Sequence, residues 1–75
     1  MENRKLDCSG LSCPLPIVRV SRAIKEIAVG DILEVLATDK AFRLDIEAWA
    51  KKTGNLLEKF EEADGKFSAL IKKVL

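Results

Sequence analysis

The chain has 75 residues, 48% of them hydrophobic and 33% charged, enough for one two-layer core and too few for a second domain or a deep enclosed active site. Its formal net charge of +1, from 13 Lys and Arg against 12 Asp and Glu, supplies no field that would draw it to nucleic acid or an anionic membrane. Histidine is absent, which removes the usual metal ligand and catalytic base, so neither a metal centre nor Cys-His or Ser-His-Asp catalysis is expected.

Residues 4–8 form a short extended stretch ended by the turn signal Ser9-Gly10. From Pro14, the apolar residues Ile17, Val20, Ile24 and Ile27 recur at helical spacing up to Gly30, while Arg19, Arg22, Lys25 and Glu26 fall largely on other faces. This predicts a first amphipathic helix. Residues 31–38 are aliphatic and β-branched with one internal charge, the pattern of a central strand buried on much of both faces. A second helix is expected over 41–53, with Phe42, Ile46, Trp49 and Ala50 on one stripe and Gly54-Asn55 as its stop. Two strands, 56–63 and 66–74, are joined by Asp64-Gly65, the dipeptide of tight hairpins whose two central positions need positive φ.

The order β-α-β-α-β-β favours a two-layer α/β sandwich: a four-stranded mixed sheet with both helices on one face, forming a single domain over 1–75. Ile17, Val20, Ile24, Val35, Ile46, Trp49 and Ile71 are its expected core. No apolar run approaches the roughly 20 residues that span a bilayer. The start, Met1-Glu2-Asn3-Arg4-Lys5, is not followed by the apolar stretch of a signal peptide. A cytoplasmic protein without membrane contact is the expectation.

Two cysteines, Cys8 and Cys13, are too few for a disulfide framework or a four-ligand zinc site, which leaves thiol chemistry. Cys13-Pro14-Leu15-Pro16 places a cysteine at the start of the first helix. Prolines suit a first helical turn, where their missing N–H costs nothing. The dipole and free N–H groups there favour thiolate, although the two prolines delete two donors, so moderate activation is expected. Arg19 and Arg22 add positive potential. In a Cys-x-x-Cys motif the second thiol would resolve a mixed disulfide, but Pro16 holds that place. A lone nucleophilic thiol describes a group carrier better than an oxidoreductase.

Leu6-Asp7, Gly10-Leu11 and Cys13-Pro14-x-Pro16 match the L-D-x-x-G-L-x-C-P-x-P signature of the TusA (SirA-like) family, which the chain therefore resembles. Asp39, Asp45-Ile46 and Trp49 resemble that family's second motif segment, an Asp-Pro followed by an Asp-Ile, with Lys40 where proline is usual. The resemblance covers nearly the whole chain. It implies a fold like the C-terminal domain of a translation initiation factor, a two-layer sandwich, and a persulfide carried on Cys13, with Asp7, Gly10, Pro14 and Pro16 as supporting motif residues. It also implies partners: a cysteine desulfurase or rhodanese-type donor and a downstream acceptor protein, serving tRNA thiolation or another sulfur-transfer pathway. The expected role is a carrier with a sulfurtransferase-like covalent intermediate, without a cofactor.

Other residues have plainer readings. Cys8 packs at the end of the first strand, or else approaches Cys13 as a resolving thiol. Asp7 caps the turn, Asp39 and Asp45 favour the N-terminal end of the second helix, and Trp49 belongs to the core. Arg19, Arg22 and Lys25 form a solvated helix face that borders Cys13 and can dock an acidic donor surface. The competing function is a regulatory or nucleic-acid-binding module of the same fold. Direct nucleic-acid contact is not expected from a near-neutral chain with 3 Phe, 1 Trp and no Tyr.

Overall fold

The computed structural model describes residues 3–74. Strand β1 (Asn3–Cys8) leads into helix α1 (Leu15–Ala23) and a 3-10 turn (Ile24–Glu26), followed by β2 (Ile32–Ala37), helix α2 (Phe42–Thr53) and the hairpin β3 (Leu56–Ala63) and β4 (Lys66–Lys72). The sheet order is β1-β2-β4-β3, with β1 and β2 parallel and β4 antiparallel to both of its neighbours. The mixed sheet and the element order are those expected from the sequence.

The hairpin turns where Asp64 (φ 52°) and Gly65 (φ 75°) both adopt positive φ, the conformation a two-residue type I′ connection requires. Helix α2 ends on Gly54, whose left-handed φ of 82° lets its N–H bond the Ala50 carbonyl at 3.0 Å.

One face of the sheet and the inner stripes of the helices make the core. Leu33, Val35 and Ala37 of β2, Phe67, Ala69 and Ile71 of β4, Val20 and Ala23 of α1, and Phe42, Ile46, Trp49 and Ala50 of α2 are all buried. Phe42, Phe60 and Phe67 cluster with ring centroids 5.8–6.5 Å apart, the spacing of favourable aromatic pairs.

Three expectations need correction. Strand β2 alternates between buried and partly exposed residues instead of being buried on both faces, because both helices pack on one side and Ile32, Glu34 and Leu36 point to the other. The first helix stops at Ala23 and tightens into the 3-10 turn, so Ile24 and Ile27 reach the core from that turn and the residue after it. Ile17 is only partly buried against the core, because it lines an open groove shared with Asp45, Ala48, Trp49 and Lys52 of α2.

Candidate functional site

Because β1 and β2 are parallel neighbours, the chain leaves both at the same end of the sheet. The loops 9–14 and 38–41 therefore meet there. Local hydrogen bonds shape the first loop: Asp7 Oδ1 accepts the Ser9 N–H at 2.9 Å, the Leu11 N–H bonds the Cys8 carbonyl at 3.2 Å and the Leu15 N–H bonds the Ser12 carbonyl at 2.9 Å. Hydrogen bonding from the Ser9 side chain and from its N–H holds the Asp7 carboxyl below the usual carboxylate range. Gly10, at φ 80°, makes the reversal that a residue with a Cβ would strain. Its N–H reaches across to Thr38 Oγ1 at 2.9 Å.

A second bond across the loops positions the thiol-bearing residue itself. Asp39 Oδ2 accepts the Cys13 N–H at 3.0 Å. Cys13 is exposed, precedes Pro14 through a cis peptide and stands just before α1, whose N-cap is Pro14 and which has no side-chain cap. Its Sγ, one carboxylate oxygen of Asp39 and one of Asp45 all lie within 4.8 Å of one another. An open groove of about 320 Å³ adjoins it, lined by Cys13, Pro14, Ile17, Asp45, Ala48, Trp49 and Lys52. Trp49 is fixed in the groove wall by its Nε1–H, which donates to Ser21 Oγ at 3.0 Å.

The electrostatics reverse the sequence expectation of an activated thiol. A hydrogen bond to the Asp45 carboxylate, slight desolvation and the charges of Asp45 and Asp39 push the Cys13 thiol above its ordinary pKa. The helix end offers few donors against this, since Pro14 and Pro16 carry no N–H and the Leu15 N–H bonds the Ser12 carbonyl. Carboxylates stabilise S–H and repel S⁻. Free Cys13 is thus held as a thiol, and its alkylation rate should climb only at a higher pH than for an ordinary cysteine. In Asp45→Asn the profile of rate against pH should shift toward lower pH, read with a neutral alkylating agent; an unmoved profile would mean that Asp45 does not hold the proton.

Of the residues singled out from sequence, Gly10, Cys13, Pro14 and Pro16 lie in the loop and the first turn of α1, and Asp7 lies at the end of β1 that leads into them. Pro16 is buried and anchors that turn. Arg19 and Arg22 are exposed on α1, but the field of Arg19 acts on Cys8, and the charges felt by Cys13 are carboxylates. Cys8 is fully buried and not disulfide-bonded, and burial raises its pKa; it packs, as expected. Sequence reasoning assigned Asp39 and Asp45 to the start of α2, yet Asp39 makes no side-chain cap there and turns to Cys13 instead. Their six-residue spacing in the second motif block was the available signal. One thiol and two carboxylates offer three donors without an imidazole, one short of a structural zinc set.

The profile of the family described as Sulfurtransferase TusA matches residues 4–73. The Sulfur carrier protein TusA of Allochromatium vinosum is 46% identical over 71 residues, covering 95% of this chain and 93% of its own length. A protein of Aquifex aeolicus is 51% identical over 72 residues, which cover 96% of this chain but 36% of that longer relative. Among solved structures, a SirA-like protein from Desulfitobacterium hafniense aligns with a TM-score of 0.83 over 100% of both chains at 25% identity.

Proposed function

The chain belongs to the Sulfurtransferase TusA family, and we infer from this that it is a sulfur carrier whose Cys13 holds the cargo as a persulfide. The observation that carries the reading is the exposed, unpaired Cys13 thiol on an open groove, within reach of another protein's active site. In the loading step Cys13 Sγ bonds to the outer sulfur of a donor cysteine persulfide as the donor S–S bond breaks. The electron pair stays on the donor's cysteine sulfur, which gains the proton that Cys13 loses. One S–S bond replaces another with no net oxidation. Delivery repeats the exchange with an acceptor protein of a sulfur-relay pathway such as tRNA thiolation.

The donor on this reading is a cysteine desulfurase or a rhodanese-type protein. The test is intact mass after incubation with a cysteine desulfurase and cysteine: a gain of one sulfur, removed by reductant and lost in Cys13→Ser, is expected. A wild-type chain that never gains sulfur would overturn the reading. The alternative, a nucleic-acid-binding module, is disfavoured because Asp39 and Asp45 at the centre of the site repel a phosphate backbone. Among the described residues no helix is long and apolar enough to cross a membrane.

Arg19 and Arg22 follow Cys13 on exposed faces of α1, where they steer an acidic donor surface but add little to the thiol. Reversing both charges should slow loading from the desulfurase roughly five- to tenfold at low salt, while a small persulfide still loads at nearly the wild-type rate. Equal slowing with both sulfur sources would assign the arginines to the thiol instead of the partner.

A further inference from the structure

The charges gathered at Cys13 bear on which donors it can accept. Asp39 is fixed by the Cys13 N–H at 3.0 Å, Asp45 projects from the first turn of α2, and both carboxylates lie within 4.8 Å of Sγ. Among the described residues Lys52 is the one basic residue lining the same groove, which leaves the two carboxylates in excess beside the sulfur. Two large apolar side chains close to these residues in sequence are exposed: Leu15, two positions after Cys13, at 48%, and Leu44, next to Asp45, at 73%. Exposed apolar side chains around a charged centre are a surface that another protein can desolvate.

We propose that Asp39 and Asp45 determine the donor class: they turn away small anionic sulfane compounds and reserve Cys13 for a persulfide on a protein that brings an Arg or Lys side chain onto the two carboxylates. The assignment rests on the sulfur-carrier reading for its biological meaning, though not for its measurement. The transition state of sulfur exchange spreads negative charge over three sulfurs in line. A dianionic donor adds its own charge beside two carboxylates, whereas a partner cation neutralises them and releases the thiol from Asp45. At about 4 Å in water a pair of unit charges is worth roughly 1 kcal/mol, a factor of about five in rate for each carboxylate. The exposed Leu15 and Leu44 offer that partner apolar surface to cover as it docks.

Thiol–disulfide exchange with probes of different charge reads this field directly. Cystamine (dicationic), a neutral dipyridyl disulfide and dithiobis(nitrobenzoate) (dianionic) would be reacted with wild type, Asp39→Asn, Asp45→Asn and the double variant. Each rate is divided by that of the neutral probe, which cancels any change in thiolate fraction. Cys8 is buried, so the fast phase belongs to Cys13 and vanishes in Cys13→Ser. Wild type should prefer the cation, and the cation-to-anion ratio should fall by about tenfold or more in the double variant at low salt and flatten at high salt. Asp45→Glu should keep most of the preference. From a desulfurase the double variant should load more slowly even as the anionic probe speeds up. A ratio unmoved by the Asn substitutions, an anionic preference in wild type, or desulfurase loading that speeds up together with the anionic probe would overturn the assignment. Sulfur uptake by intact mass tests the carrier role separately, so either result can fail while the other stands.

Discussion

Cys13→Ser should take up no sulfur from a desulfurase and cysteine, while Cys8→Ala should still gain one sulfur per chain. The two thiols differ in what a partner can touch. Cys13 is exposed beside an open groove, and Cys8 is 0% exposed at the end of β1, paired in register with Ala37 of β2. A donor persulfide can meet only the first without unfolding the strand. Alanine is the better replacement at position 8, because a serine hydroxyl in that apolar site would be buried without an assured partner. The lost sulfur leaves a small cavity, expected to cost about 1–2 kcal/mol, so the variant should fold and load. A resolving role for Cys8 would show itself otherwise, since attack on the loaded Cys13 would discharge the cargo and leave an internal disulfide. Mild oxidation followed by non-reducing peptide mapping separates the cases. A dominant Cys8–Cys13 disulfide, with slower turnover in Cys8→Ala, would overturn the single-thiol mechanism.

The fold was legible because its signals are local. Asp64-Gly65 specifies the hairpin turn through positive φ, Gly54 stops α2, and the stripe of Phe42, Ile46, Trp49 and Ala50 marks the face that α2 buries; each is readable within a few residues. Ile17 was misplaced because periodicity tells which face of a helix is apolar, not where a groove between two helices leaves part of that face open. Similarly β2, aliphatic except for Glu34, looked buried on much of both faces when only one face carries helices. The site divided similarly. Cys13, Gly10 and the prolines announce themselves in one contiguous motif. The chemistry of the thiol, however, is set by Asp39 and Asp45, which are 26 and 32 positions further on and meet it only because parallel β1 and β2 deliver their loops to one end of the sheet. A dipole argument made from the local sequence alone therefore gave the wrong sign for the shift of Cys13.

Phe42→Ala should cost about 3–5 kcal/mol, a large share of the roughly 4–11 kcal/mol expected for a domain of this size, and should lower Tm by more than about 10 °C. Phe42 is fully buried at the first position of α2, with its ring 6.1 Å from Phe60 and 6.5 Å from Phe67 between centroids. It is thus the side chain that fastens the start of α2 to the β3–β4 hairpin. Its N–H bonds the Asp39 carbonyl at 3.0 Å, and Asp45 lies less than one turn further along the helix. Losing the ring should therefore loosen both carboxylates as well as the core. Two readouts follow: a lower midpoint in thermal or urea unfolding, and, in the fraction still folded, a Cys13 alkylation profile shifted toward lower pH as Asp45 loses its hold on the thiol proton. Phe42→Leu, which keeps most of the apolar volume, should recover the larger part of both. If Phe42→Ala lowered stability but left the alkylation profile of the folded protein in place, the start of α2 would be held by Ile46 and Trp49 without the aromatic cluster, and the packing of the hairpin would have no part in setting the charge around Cys13.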